Sequence, residues 1–446
     1  MKHSWRKYLG ERAPRYTSYP SALHFDGSVT SKDYLSKIDE IDLYESLSLY
    51  VHIPFCRQLC WYCGCNMRVE NYYARARKYV DALIREIGIV GRALNGRGRP
   101  TSVHFGGGTP NYLLCDDLND ILAAIEREIG LTDAANLAIE LDPRLLRDSD
   151  IDHLASLGFC RFSLGIQDFD PTVQKAINRL QSFELIEACV SDIRAAGVDD
   201  LSFDILYGLP HQSATSFSDT LEKVVSLSPD RISVFGYAHL PSAMPRQRMI
   251  DTASLPDDRL RGDLSSLADE KLVDAGYRRI GFDHYAKPDN ALAKAALEGR
   301  LKRNFQGFTD DAASTLVGFG ASAISFIDGL YAQNEKAIDD YMRRVENGKA
   351  PVAQGLHRTK RESVIAAAVR ELLCTMQTNV GPVLRSAAPG DAIRICSSLE
   401  KLEADGVIEW RGDAIVVAEG AHALARVAAS AIDPYAQPQV EFAAAV

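Results

Sequence analysis

Four cysteines fall within ten residues in the stretch Tyr50-Val-His-Ile-Pro-Phe-Cys56-Arg-Gln-Leu-Cys60-Trp-Tyr-Cys63-Gly-Cys65-Asn66. The apolar run before them, Leu47 to Ile53, reads as a buried strand by its β-branched and aromatic content. A loop at the end of such a strand can turn several thiolates toward one point. A disulfide knot is disfavoured by the chain's length, its odd total of nine cysteines and a Met1-Lys-His-Ser-Trp start without an apolar secretion signal. All three features fit a reducing compartment. Structural zinc draws paired knuckles, or cysteines with histidines, from separated segments, and no second pair follows. An iron–sulfur cluster is normally held by four cysteines. The spacing Cys56-x3-Cys60-x2-Cys63 instead offers a compact trio, which leaves one iron free for a small molecule. Zinc and a plain electron-carrying cluster stay open as alternatives.

Hydrophobic periodicity shows which elements must hold this loop. Val80, Leu83, Ile84 and Ile87 follow helical spacing, which predicts an amphipathic helix between Asn71 and Leu94. Short apolar strands then recur at Ser102 to Phe105, Leu137 to Leu141, Phe162 to Ile166, Leu201 to Leu206 and Ile232 to Tyr237. Helical patterns such as Leu118 to Ile129 and Phe183 to Ala196 lie between them. With the strand at Leu47 this gives six β-α units, hence an α/β fold with a parallel sheet, curled by right-handed crossovers into a partial TIM-like (βα)6 barrel open on one side.

Active residues in that architecture belong at the strands' C-terminal ends. Gly106-Gly107-Gly108-Thr109-Pro110 follows the second strand, and alone it could be a tight turn or a ligand cradle, since it lacks the Lys of a P-loop. Glu140 interrupts the third strand, where the bland expectation is a barrel-interior acid paired with an Arg and the functional one a ribose diol. Gln167 and Asp168 end the fourth strand, Asn178-Arg179 follows, and Asp204 interrupts the fifth. Each could serve a polar neighbour, but so many on one rim point to a site.

The trio Cys56-x3-Cys60-x2-Cys63 resembles the signature of radical S-adenosylmethionine (SAM) enzymes. The resemblance implies that these thiolates hold a [4Fe-4S] cluster whose fourth iron is chelated by the amino and carboxylate groups of SAM. An electron from the cluster then splits SAM into methionine and a 5′-deoxyadenosyl radical, the cofactors supplying the hard chemistry and the protein position and shielding. It also implies that the glycine run contacts the methionine amino group.

Further blocks, from Pro14-Arg15-Tyr16-Thr17-Ser18-Tyr19-Pro20 through Gly165-Ile-Gln167-Asp168-Phe169 and Asp204-Ile-Leu-Tyr207-Gly-Leu-Pro210 to Arg303-Asn304-Phe305-Gln306-Gly307, resemble the oxygen-independent coproporphyrinogen III oxidase family over roughly residues 14–330. That likeness implies oxidative decarboxylation of two propionate side chains to vinyl groups in haem biosynthesis, giving protoporphyrinogen IX. Carried over by position, Tyr50, Gly107, Glu140, Ala238 and Ile324 match the surroundings of one SAM. Tyr62, Gly108, Thr109, Gln167, Arg179 and Asp204 match those of a second, Tyr62 standing where the family often has Phe. Cys65 matches a position without a ligand role. The arm around Tyr16 and Tyr19, otherwise an extended surface segment, is implied to close over the site. A tetrapyrrole substrate, a small electron donor such as flavodoxin or ferredoxin, and a monomer complete the picture. A haem carrier, or a relative acting on another substrate, is the alternative.

The chain has 446 residues, 46% of them hydrophobic and 25% charged, so it is ordinary globular material with room for one large domain and additions. Residues 1–45 are expected to form an N-terminal arm and lid, 46–330 the barrel with extensions, and 331–446 a helical, winged-helix-like domain. Its predicted parts are a helix from Ala392 to Ala404 and a hairpin from Val407 to Val417. The family's adjacent arginines give way here to the apolar Val364 to Val369, and Cys374 to Gln377 departs from an aromatic-Arg pattern. A tetracarboxylate wants cations, so this puts the substrate in question. A net charge of −10 and a non-basic helix at Ser398 to Asp405 argue against nucleic acid. No apolar run reaches the length of a membrane span, and a cytoplasmic protein is expected.

Overall fold

The computed structural model describes residues 3–436 and 446. The Ala-rich stretch after Pro438, expected to lack order, lies outside them except for Val446. Six parallel strands form the centre of the fold: β1 (Ser46–Ile53), β2 (Arg99–Gly107), β3 (Asn136–Leu141), β4 (Phe159–Gln167), β5 (Asp200–Tyr207) and β6 (Arg231–Gly236). Helices such as Tyr73–Leu94, Cys115–Glu128, Phe183–Ala195 and Ala214–Ser226 connect them, so the six β-α units are present. Strand β5 shows why the sequence curls this way. Leu201, Phe203 and Ile205 are fully buried, while Asp200, Ser202 and Asp204 alternate with them on the other face. The apolar face packs under the helices and the polar face lines the concavity.

The sheet continues beyond the six strands. Strands β7 (Arg278–Ile280) and β8 (His284–Ala286) extend the β6 edge, and β9 (Thr315–Phe319), β10 (Ile324–Ile327), β11 (Leu330–Asn334) and β12 (Val352–His357) extend the β1 edge. The order is β12-β11-β10-β9-β1-β2-β3-β4-β5-β6-β8-β7. Strand β9 is parallel to β1, and β6 pairs with antiparallel β8, so the barrel stays open. The expected boundary at 330/331 needs correction: β11 begins at Leu330 and pairs on both sides within the main sheet, which runs on to His357. These strands are three to six residues long, which leaves little periodic signal in the sequence.

The helical unit after β12 comprises Lys360–Thr375, Gly381–Ser386, Pro389–Ala404 and Ala425–Ala431, with a small sheet of Gln377–Asn379, Ile408–Arg411 and Ala414–Val417. The arm is not laid on the surface. Tyr16 and Tyr19 are buried, and their hydroxyls donate to the two oxygens of Asp433 at 3.0 and 2.9 Å. Trp5 donates to the Asp405 carbonyl at 3.1 Å. The first residues thus clasp the last helical unit.

The open edge is anchored through a buried acid. Glu86, on the inner face of Tyr73–Leu94, accepts from Gly320 N–H at 2.7 Å, Asn334 Nδ2 at 2.7 Å and the Tyr341 hydroxyl at 2.6 Å. Glu86→Ala would strand these donors, each costing about 1–3 kcal/mol when buried and unpaired. Denaturant unfolding is expected to show a loss of about 3 kcal/mol or more, and an unchanged midpoint would refute the anchor.

Candidate functional site

The cysteine loop leaves β1 and is fastened from several sides. Asn178 Nδ2 donates to the Leu59 carbonyl at 2.7 Å and Trp61 N–H to the Ile177 carbonyl at 3.0 Å. Gln247 Nε2 donates to the Tyr62 carbonyl at 3.1 Å, and the carbonyl of Asn66 meets His52 Nε2 at 2.9 Å. The glycine run is packed against the loop's start. Gly108 N–H donates to the Ile53 carbonyl at 2.8 Å, and a Cβ on Gly108 would come within 2.8 Å of the Phe55 carbonyl oxygen. Gly107 has φ +119°, a conformation open to glycine. The run is therefore a close-packed turn and a cavity wall at once.

Cys56, Cys60 and Cys63 line one cavity of about 200 Å³. Each sulfur has a polar neighbour: the Cys56 thiol donates to Thr109 Oγ1 at 3.6 Å, and Cys63 Sγ accepts from Cys65 N–H at 3.4 Å. Cys60 Sγ accepts from Arg144 Nη2 and Arg179 Nη1, both at 3.7 Å. Asp142 binds the two guanidiniums together, accepting from Arg144 Nη2 at 2.6 Å and Arg179 Nη1 at 3.4 Å. Burial, the largest influence on Asp142, pushes its pKa up, but Arg179 and then Arg144 outweigh it and hold the carboxyl below its usual range. Burial pushes the Cys56 thiol up to about 12. Among the described residues no three His, Cys, Asp or Glu side chains are grouped to hold a single metal ion. Three thiols sharing a cavity wall, with donors aimed at Cys60 and Cys63, suit a multi-iron cluster, one thiolate per iron, better than a closed tetrahedral ion.

The rest of the wall is polar. Glu140 Oε2 accepts from Gly107 N–H at 3.2 Å and Oε1 pairs with His104 Nε2 at 3.0 Å, so its partner is a histidine and a backbone amide rather than the arginine of the bland expectation. Arg179 Nη2 and Nε donate to the Gly165 carbonyl at 2.7 and 3.1 Å. Gln167 closes β4 with φ +66°, a strained conformation for a residue with a side chain. Asp204 is raised to about 6, first by burial and then by the charge of Glu140. Asp168 takes no part in the cavity. It is fully buried and accepts from Gln212 Nε2 at 2.6 Å and Thr220 Oγ1 at 3.0 Å.

Comparison with known proteins gives this wall a context. The Radical SAM superfamily profile matches residues 50–224. The oxygen-independent coproporphyrinogen III oxidase of Bradyrhizobium diazoefficiens is 39% identical over 433 residues, 97% of this chain and 96% of that one. The chain belongs to the oxygen-independent coproporphyrinogen III oxidase family. The relative from Escherichia coli K12 is 40% identical over 371 residues, covering 83% of this chain and 80% of its own. A solved structure, described as "Coproporphyrinogen III oxidase (HemN) from Escherichia coli is a Radical SAM enzyme", superposes with a TM-score of 0.88 at 36% identity, covering 94% of this chain and 97% of that one. Membership in this radical SAM family carries with it a [4Fe-4S] cluster and SAM.

Of the family positions carried over from the sequence, Tyr62, Gly107, Gly108, Thr109, Glu140, Gln167, Arg179 and Asp204 line the cavity beside the three cysteines. Tyr50, Ala238 and Ile324 do not. The Tyr50 hydroxyl contacts His52 Nδ1 at 3.0 Å and its ring stacks on His104. Ala238 reaches the loop through its carbonyl, which accepts from the same Gln247 amide at 3.0 Å. Ile324 opens β10 on the extension of the sheet. The sequence reading passed over Asp142 and Arg144, although a charged pair directly after a strand was the signal available.

Because the raised Asp204 keeps its proton to higher pH in the folded chain than in the unfolded one, it favours folding fully below about pH 4 and loses that contribution as pH rises through about 6. Asp204→Asn should flatten this fall, by about 2 kcal/mol between those limits, in denaturant titrations at several pH values. A variant with the wild-type pH slope would contradict it.

Proposed function

We propose that this protein converts coproporphyrinogen III to protoporphyrinogen IX without oxygen, by oxidative decarboxylation of two propionate side chains to vinyl groups. The observation that carries the reading is a relationship covering 97% of the chain joined to three cysteines on one cavity wall. Each propionate gives up one hydrogen atom, CO2 and one electron, so an external electron acceptor completes each vinyl group. When bound, the cluster and SAM supply one-electron cleavage of a sulfonium and the carbon radical that abstracts the hydrogen.

The chain's own residues hold and shield that chemistry. Cys56, Cys60 and Cys63 are the proposed cluster ligands, and the two guanidiniums at Cys60 stabilise negative charge on its sulfur. Asp142 keeps both guanidiniums in place and offsets their charge. Glu140, with a side chain 43% exposed, still offers oxygen to a ribose diol. Gly107, Tyr50, Ala238 and Ile324 are proposed around one SAM, and Tyr62, Gly108, Thr109, Gln167, Arg179 and Asp204 around a second. Among the described residues no helix is long and apolar enough to cross a membrane. A cytoplasmic monomer reduced by a flavodoxin or ferredoxin fits the family.

Anaerobically reconstituted protein should form protoporphyrinogen IX and 5′-deoxyadenosine from coproporphyrinogen III, SAM and a reductant. Deoxyadenosine without vinyl product would transfer the reading to another substrate. Cys60→Ala should abolish iron–sulfur absorbance and both products, and stoichiometric zinc in wild type with no such absorbance would sink the cluster assignment. Arg179→Ala should reduce SAM uptake about tenfold or more while iron is retained, the loss of a charged hydrogen bond being of that order. Equal uptake would remove Arg179 from the SAM site.

A further inference from the structure

A second cavity, of about 150 Å³, lies between the N-terminal arm, the hairpin of Lys302–Asn304 with Gly307–Thr309, and the helix Lys360–Thr375. Lys302, Arg303, Arg358 and Arg370 line it, and among the described residues no Asp or Glu does. The apolar stretch noted in the sequence does face it, through Ala366, Ala367 and Val369. The cations come from either side of that stretch and from the hairpin, so the missing adjacent arginines do not leave the region uncharged.

Arg303 is the decisive residue. Its side chain is 5% exposed, with the guanidinium over the rings of Phe308 at 4.5 Å and Phe282 at 4.8 Å. Nε and Nη2 donate to the Arg15 carbonyl at 3.4 and 3.1 Å, while Nη1 makes no hydrogen bond among the described residues. Its nearest paired carboxylate, Asp283, stands 4.0 Å away and is already engaged by His284 Nδ1 at 2.6 Å. Nη1 therefore has only this loose ion pair and no hydrogen bond, and a buried guanidinium so placed is better satisfied by a closer anion. Lys302 Nζ is turned to the Ala312 and Ala313 carbonyls and Arg358 Nε to Ser363 Oγ, so neither of these contacts neutralises its charge.

We propose that this cavity receives one carboxylate arm of the tetrapyrrole, anchored by Arg303, Arg358 and Arg370, a role that rests on the function proposed above. A space of about 150 Å³ takes a benzene-sized group, hence a propionate and not the macrocycle. The hairpin also packs on the strand row that leads to the cluster cavity: a Cβ on Gly307 would lie 3.1 Å from His284 Nε2, and Ser233 pairs with His284 on one side and with the cavity-lining Asp204 on the other. A carboxylate held by guanidiniums is stabilised in its charged form and resists departure as CO2. The anchored arm is therefore one that the product keeps.

The test compares wild type, Arg303→Gln and the double variant Arg358→Gln/Arg370→Gln, whose positions border the cavity on a half-buried loop and at an exposed position within the helix Lys360–Thr375. The probes are coproporphyrinogen III in turnover, and coproporphyrin III against its tetramethyl ester in fluorescence titrations of the reconstituted enzyme. Each variant should raise KM about tenfold and lose the preference for the free acid over the ester, with iron–sulfur absorbance and circular dichroism retained. Wild-type KM and acid preference in the double variant would overturn the anchor. If wild type turns over no coproporphyrinogen III, the functional reading fails separately, and the acid-versus-ester titration still decides whether the cavity binds carboxylate.

Discussion

The site depends on one buried charge knot, in which Asp142 holds Arg144 and Arg179 with both guanidiniums turned to Cys60. A carboxylate placed this deep is tolerable only with partners in good geometry, and the chain supplies them from separate units. Asn111 fixes the Asp142 backbone with a reciprocal pair, its Nδ2 donating to the Asp142 carbonyl at 3.0 Å and its Oδ1 accepting from Asp142 N–H at 2.9 Å. The Gly165 carbonyl receives Arg179. A Cβ on Gly165 would come 2.8 Å from Gln167 Nε2 and 3.1 Å from Arg179 Nη2, so the glycine leaves room for both. Strands β3 and β4 and the turn after β2 are thereby set relative to the cysteine loop.

The barrel makes such a knot possible by dividing its strands into two faces. The outward residues are apolar and covered by helices. The inward ones form rows such as Glu140 beside Ser163 and Asp204 beside Ser233. Parallel strands usually read as continuous apolar runs, so acids inside them mark a concavity that holds something polar. Because β6 turns to β8 rather than to β1, the concavity is open on the side where the arm, the hairpin at 302–309 and the last helical unit meet. A bulky substrate needs that opening.

The first and last parts of the chain share this role. Tyr16 and Tyr19 fasten the arm to Asp433, and Arg426 donates to the Pro14 carbonyl at 3.0 Å. Between these contacts Thr17 and Ser18 line the cationic cavity. Arm, hairpin and helical unit thus build one wall from segments hundreds of residues apart in sequence.

The sequence alone determined the local matters. Cysteine spacing singled out the trio Cys56, Cys60 and Cys63, and short apolar runs with period-3.6 patterns between them located six strands and their helices, because hydrophobic patterning is a property of each segment by itself. The same patterns put Glu140 and Asp204 within strands and Gln167 at a strand end, and the structure gathers them into the cysteine cavity. Only tertiary structure decided the matters that arise between segments. It paired Glu140 with His104, recruited Asp142 and Arg144 to Cys60, kept Asp168 for buttressing, and carried the sheet past residue 330 through short strands. It also assembled four cations around a cavity from two separate segments. Charge pairing and edge-strand hydrogen bonding depend on which residues end up as neighbours, and distance along the chain does not encode that.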